Sequence, residues 1–392
     1  MLVAVNFTVA SPILIEISNS LNTSVALAGL LFTFLPLGYI SGTALNNFIC
    51  KYFERKYVYR VILFIQFVFF IVLALSKSIY ITFISFFMLG FCCGFLNVIV
   101  NTVMIQLYRN NPGVSLNLTH VFFGIGAFLG PVISSQIVGE GLNWAFAIFI
   151  VAGLILINFL LSMFIDVPIS DNYVSRKSLE TTYLKESDNP VKGQELPKLQ
   201  TGLLLLIVFA FFTMSVTQQG FTAWMPSFLR IERDFSSTLA GQSLSFFWAM
   251  LSIGRLVVGI ISKRIRLEKI VIFLSFFCFV SAFISVYFSN KVLALVSFLL
   301  MGAFHSGIWP SLLALGSIYF KERNNFVISI LSAVGSLGGL FAASFISFVY
   351  ENTNNLQIGL LIVASFIFLA FIILVVFYLI NKARINAKVW IN

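Results

Sequence analysis

Apolar runs of about 20 residues or more recur along the whole of this 392-residue chain, separated by short polar or charged segments. A run of that length is what a helix needs to cross the ~30 Å hydrocarbon core of a bilayer. Lipid offers the backbone no hydrogen-bond partners, so only helices or closed barrels can span it. A barrel would show segments of roughly ten residues with alternating polarity, and the runs here are continuous. Composition closes the remaining route, a soluble domain. Only 10% of residues are charged and 59% are hydrophobic, with 46 Phe, where a soluble chain carries roughly 25% charged residues. The chain reads as an all-α integral membrane protein.

Turn and charge punctuation predicts twelve transmembrane helices, near residues 2–18, 25–49, 59–76, 80–105, 116–138 and 144–166, then near 201–229, 236–262, 270–289, 291–319, 326–350 and 357–381. The one long polar stretch, 167–199, carries Pro190 and Pro197 and reads as a solvated linker. The expected organisation is a six-helix bundle over 1–166, the linker, a second bundle over 200–381 and a tail over 382–392. The two sets echo each other in order. Pro12, Ala28 with Gly29, Gly42 and Lys51 find counterparts in Pro226, Ala240 with Gly241, Gly254 and Lys263, and Gly90 and Gly126 in Gly302 and Gly335. Two pseudo-symmetric six-helix bundles are the duplication of a two-half transporter, whose solute site lies between the halves near the bilayer midplane.

The formal charge is +10, which raises nucleic acid as a partner, but the basic residues form no aromatic-interleaved patch and no nucleic-acid binding is expected. Their distribution is topological instead. With both termini cytoplasmic, nineteen Lys and Arg fall on inner segments and four, Lys77, Arg230, Arg233 and Lys291, on outer ones. That bias predicts a multi-pass protein of a bacterial inner membrane. Cys92, Cys93 and Cys278 lie inside apolar runs and Cys50 ends one, without metal-ligand spacing, so they read as packing residues. Met1 leads straight into apolar sequence, so no cleavable signal peptide is expected, and the first span is short at its start.

Polar groups inside lipid are costly and are candidates for function, with helix packing as the competing role. Gly90, Gly94, Asn97 and Asn101 share one helical face of span 4; the glycines admit a close neighbour, and the asparagines line either that seam or a central cavity. Span 7 carries Gln218 and Gln219 side by side, then Trp224 and Pro226. An amide both donates and accepts, which suits a polyhydroxylated ligand. Trp224 fits either stacking on a sugar face or an aromatic belt at the outer surface. Span 10 places Gly302, His305, Ser306 and Trp309 on one face, with Pro310 expected to loosen the helix just beyond. His305 reads as a packing donor or a proton relay, and Trp309 as a stacking or gating residue. His120 and Phe123 open span 5, and span 8 offers Trp248 and Arg255. Arg255 is the one base deep in a span, at about 2.5–3.5 kcal/mol on insertion scales, and fits a gate or helix anchor. No HExxH, GxSxG or Walker loop is present, so no enzyme, metal or cofactor is expected.

Three strings carry a family resemblance. LNLTHVFFGIGAFLGP, from Leu116 to Pro131, resembles the span 5 signature of the fucose, galactose and glucose proton symporters of the major facilitator superfamily. WMPSFL from Trp224 and FFWAMLSIGRLVVG from Phe246 to Gly259 resemble that family's spans 7 and 8. The resemblance implies the major facilitator fold and alternating access, with a sugar-sized site between the halves. It also implies carboxylates where this chain has Asn97, Gln218 and the pair Thr8 and Val9, and an acidic and basic loop after span 2 of which Lys51 and Arg55 remain beside Cys50. Amides do not titrate, which leaves Glu16, His120 or His305 as proton carriers, with facilitated diffusion and proton or sodium symport both open. The expectation is therefore a monomeric secondary transporter of a small neutral solute, a monosaccharide. A polyspecific exporter of hydrophobic compounds and a non-transporting membrane sensor are the competing readings.

Overall fold

The computed structural model describes residues 1–107, 112–164, 198–320 and 323–389. Twelve helices among them are long and apolar enough to cross a membrane. In chain order they are α1 Leu2–Ser20, α2 Val25–Asn46, α3 Arg55–Leu75, α4 Ile79–Met104, α5 Val121–Gly139, α6 Ala145–Phe164, α7 Gln200–Arg233, α8 Ser237–Ile261, α9 Leu267–Tyr287, α10 Lys291–Tyr319, α11 Phe326–Thr353 and α12 Leu356–Ala383. Each matches a run expected from sequence. α6 and α7 end and begin on one side of the molecule, called here the linker face; the opposite side is the far face.

The repeat is visible in how the chain turns at the far face. Ser24 and its counterpart Ser236 cap α2 and α8, each side chain accepting from the amide of Leu27 or Leu239. Asn22 and Asp234, which close the turns before those caps, both adopt a left-handed backbone, at φ 49° and 51°. Short polar side chains tolerate that conformation, and it ends a helix within one residue.

Within the first bundle, α2 and α4 approach so closely that only glycine fits. A Cβ at Gly38 or Gly42 would overlap the carbonyl of Phe87 or Phe91, and one at Gly90 or Gly94 the carbonyl of Leu35 or Tyr39. Small residues drive helix association where lipid removes the hydrophobic gradient. The second bundle repeats the contact between α8 and α10 with fewer glycines. Gly302 meets the Phe247 carbonyl, and Gly254 meets Ser306. The same seam also packs by aromatic rings, with Phe247 stacked on Phe298 at 4.9 Å.

Buried polar knots tie helices within each half. Asn6 donates to the Leu89 carbonyl at 3.2 Å and to Cys93 Sγ at 2.8 Å, and fully buried Gln66 reaches the same sulfur at 3.6 Å. At the linker face Tyr319 donates to Glu268 at 2.5 Å and accepts from Asn381, which joins α9, α10 and α12.

Candidate interhelical solute site

Proline shapes the helices that line the interface between bundles. Pro12 lies in a 3-10 turn, Ser11–Ile13, that divides α1 into Leu2–Thr8 and Leu14–Ser20. Pro226 sits inside α7 and leaves the carbonyl four residues back, Thr222, without its helical donor. The two interruptions meet. Ser11 Oγ donates its one proton between the carbonyls of Thr222, at 2.9 Å, and Ala223, at 2.8 Å. Four residues beyond each proline stand opposite charges, and they pair. Arg230 Nη1 and Nη2 bind Glu16 at 2.9 and 2.6 Å, and Nη1 also reaches the Pro12 carbonyl at 3.2 Å. The pair is bidentate and largely shielded, with 17% and 19% side-chain exposure.

Further bonds close the seam on the same side. Ser24 donates to Glu351 at 3.1 Å, Thr33 and Ser344 share a bond of 2.9 Å, and Ser245 donates to the Phe128 carbonyl at 2.8 Å. Trp224, fully buried, fills the notch left by Gly29 and stands edge-on to Tyr350 at 6.2 Å. Among the described residues every hydrogen bond between the bundles lies in the half of the interface toward the far face. Three buried polar atoms in this seam, Trp224 Nε1, Ser227 Oγ and Ser347 Oγ, have no partner among the described residues.

Beneath the seal stand uncharged polar and aromatic side chains. Gln219 lies one turn from Ala223 on the face that carries Arg230, and its side chain is exposed. Gln218 is 7% exposed. Neither amide has a hydrogen-bond partner among the described residues. Asn97 donates to Tyr39 Oη at 2.8 Å, and Tyr39 stands edge-on to Phe7 at 5.6 Å, so α1, α2 and α4 present one phenol and one amide together. Asn101 is half-buried one turn on. Phe123 and Trp248 meet across the interface at 6.2 Å, and the Trp248 indole N–H has no partner among the described residues.

The remaining candidates lie on α8, α10 and the α2–α3 turn, with Arg255 seven residues beyond Trp248 on the same face of α8. α10 breaks at Ser306 and Gly307, dividing into Lys291–His305 and Ile308–Tyr319. The break falls before Pro310, not beyond it, because the bond a proline deletes belongs to the carbonyl one turn earlier. That carbonyl is Ser306, and Arg255 Nε donates to it at 3.4 Å. His305 is 1% exposed and its Nε2 meets the Met214 carbonyl at 3.4 Å, which ties α10 to α7. Trp309 wedges edge-on against Phe211 at 4.4 Å and over Gly335. Lys51 lies over the Tyr52 ring at 5.5 Å in the α2–α3 turn, and Arg55 Nη1 is buried without a partner among the described residues. The His120 side chain lies outside the described residues.

Tyr39, Ser11 and Arg230 were not singled out in the sequence as site residues. A signal existed for the last two: in the aligned repeat, Glu16 and Arg230 occupy the same offset from their prolines, with opposite sign. Tyr39 left none, since a tyrosine in a Phe-rich span is unremarkable. Among the described residues no cluster of His, Cys, Asp or Glu could hold a metal ion. What the lining offers is uncharged donors and acceptors beside aromatic faces.

Comparison with known proteins places this geometry. The family profile described as Major Facilitator Superfamily matches residues 1–343. The chain is 25% identical over 363 residues to the "Glucose/mannose transporter GlcP" of Bacillus subtilis (strain 168), covering 89% of this chain and 85% of that protein. It is 24% identical over 335 residues to a "Protein TsgA homolog" of Buchnera aphidicola subsp. Baizongia pistaciae (strain Bp), covering 85% and 81%. Its fold is similar to the structure titled "Partially occluded inward open conformation of the xylose transporter XylE from E. coli", with a TM-score of 0.74, 12% identity and coverage of 95% and 93%.

Proposed function

The chain belongs to the Major Facilitator Superfamily, and on that premise we propose that it carries a small neutral polyhydroxylated solute, a monosaccharide, across the membrane by alternating access. The observation that carries this reading is the uncharged lining beneath a sealed seam. Gln218, Gln219, Asn97 with Tyr39, and the Phe123–Trp248 pair supply hydroxyl partners and ring faces. None of these groups is charged, and Arg255, two turns beyond Trp248 on α8, is engaged with the Ser306 carbonyl. The glucose/mannose transporter among its relatives has the same chemistry of solute. Trp224 and His305, both buried in packing contacts, act as supports in this reading and not as ligand contacts.

In this reading the linker face, with both termini, lies in the cytoplasm of a bacterial inner membrane, which the excess of Lys and Arg on that side supports. The far-face seal then faces outward, and this conformation opens inward. Glu16 serves as a gate residue, because its carboxylate is held by Arg230 at the seal. Asn97 and Gln218 are amides and carry no proton, Glu16 is held by Arg230 and His305 meets the Met214 carbonyl, which supports transport down the solute gradient in this reading. The protein acts as a monomer, without a cofactor.

The purified chain in proteoliposomes should exchange radiolabelled D-glucose in counterflow, at a rate unchanged by an imposed pH gradient. Gln219→Ala should weaken half-saturation about two- to tenfold, the worth of one neutral hydrogen bond. Absence of hexose exchange removes the sugar reading; exchange of hydrophobic dyes instead would favour an exporter.

A further inference from the structure

Two prolines, one inside unbroken α7 and one just past the break in α10, free a carbonyl on lining helices of the second bundle, and in each case a side chain from another helix donates to that carbonyl. At Pro310 the donor is Arg255, from the same bundle, to the Ser306 carbonyl. At Pro226 the donor is Ser11, from the opposite bundle, whose one proton is shared between the Thr222 carbonyl at 2.9 Å and the neighbouring Ala223 carbonyl at 2.8 Å. The first bond survives any rigid rocking of the halves. The second must break whenever the far face opens, because Ser11 and Thr222 then separate.

The consequence follows from hydrogen-bond accounting. A regular helical carbonyl keeps its own backbone partner when a neighbour leaves. The Thr222 carbonyl has none, since position 226 lacks an N–H. Leaving such an acceptor unpaired is costly, so on opening it must take a donor from what fills the vestibule. It lies one helical turn from Gln218 and beside Gln219. Ser11 shows what chemistry fits: one hydroxyl, donating at 2.9 Å, in a position only 2% exposed.

We propose that the Thr222 carbonyl is a hydroxyl-donor subsite, held by Ser11 while the far face is shut and by a hydroxyl of the solute while it is open. The inference rests on the sugar reading above for its ligand, and on geometry alone for its latch. Ser11 is thus a positioning residue for the gate, and it competes with the solute for one acceptor. Release of the solute hydroxyl and return of Ser11 are the same event seen from the two sides.

Two measurements test it on the full chain. In the first, spin labels on Asn19→Cys and Ile231→Cys, with Cys50→Ser, report the separation of the far-face ends of α1 and α7. Ser11→Ala should raise the ratio of long to short distances roughly fivefold to tenfold, the equivalent of one lost hydrogen bond. Pro226→Ala restores an N–H for Thr222 and makes Ser11 redundant. Adding Ser11→Ala to Pro226→Ala should then change the ratio by less than about twofold. No shift, or the same shift in both backgrounds, overturns the latch.

In the second, the monodeoxy analogues of D-glucose compete with radiolabelled D-glucose entering from the far-face side. One analogue should inhibit about tenfold more weakly than its parent in the wild type, and that difference should shrink below about threefold in Pro226→Ala. Equal inhibition by all analogues, or a difference that persists without the proline, overturns the subsite. If D-glucose does not enter while the distance ratios shift as expected, the sugar reading and the ligand half fall, and the Ser11 latch alone stands.

Discussion

Helices α4 and α10 hold equivalent places in the two bundles and are built for different duties. α4 belongs to an unbroken helix, Ile79–Leu107, pressed against α2 along four glycines. α10 packs against α8 through the equivalent Gly302 and Gly254, yet it is broken at Ser306 and Gly307. Backbone-to-backbone packing leaves α2 and α4 no way to slide without losing contact along their length, because dispersion contacts fall off within an ångström. A helix broken beside a solute path can bend there, with its freed carbonyl held by a side chain. The α2–α4 pair is a plate, and the α8–α10 pair carries a hinge.

The largest expected effect strikes the plate. Gly42→Ala drives a methyl into the Phe91 carbonyl of a continuous helix, whereas Gly254→Ala meets the Ser306 side chain at the break and the Ala303 carbonyl just before it. Overpacking costs about 1–3 kcal/mol, and the first variant should take the upper part of that range and the second the lower part, because Ser306 lies where α10 can bend. Thermal unfolding of both in detergent checks the order; equal losses would mean that α10 is as rigid as α4.

Next comes the hinge. Arg255→Met removes the donor to Ser306, and a buried unpaired carbonyl costs about 1–3 kcal/mol. The melting temperature should fall, and Pro310→Ala, which returns a backbone N–H to Ser306, should recover most of the loss. A fall that Pro310→Ala leaves untouched would assign Arg255 to some other contact.

The smallest effect concerns the seal that joins α1 to α7. Glu16→Gln keeps the shape and removes the charge, so it should weaken the far-face closure by about 1–2 kcal/mol, the difference between a charged and a neutral hydrogen bond. The wild type should lose part of the same closure in high salt, since both side chains are partly exposed, while Glu16→Gln should be insensitive to salt. Thiol labelling of a cysteine on the far-face side of the seam reads both.

Length and apolarity made the twelve crossings legible from sequence, because a bilayer fixes how long a spanning helix must be. The repeat was legible too, and Gly42, Gly90, Gly254 and Gly302 each pack against the partner helix that symmetry requires. What sequence left open was direction around each helix. Gly90 and Asn97 share a face, and that face proves to be the α2 seam, with Asn97 turned to Tyr39 at its edge. Trp224 offered either a belt or a stacking role, and it fills the notch at Gly29. In a chain with 46 Phe every face is apolar, so hydrophobic periodicity carries little about which side meets lipid and which meets a neighbouring helix. The pairing of Arg230 with Glu16 escaped for another reason. Their pairing spans the interface, and only an alignment of the two halves brings them together.

Accessibility of position 219 tests most directly whether a neutral path opens to the linker face beneath a sealed far face. A Gln219→Cys variant with Cys50→Ser, in oriented vesicles, should react with a membrane-impermeant thiol reagent supplied at the cytoplasmic side. D-glucose should slow that reaction, and reagent at the outer side should react far more slowly. Reaction from the outer side alone, or none from either side, would contradict the account.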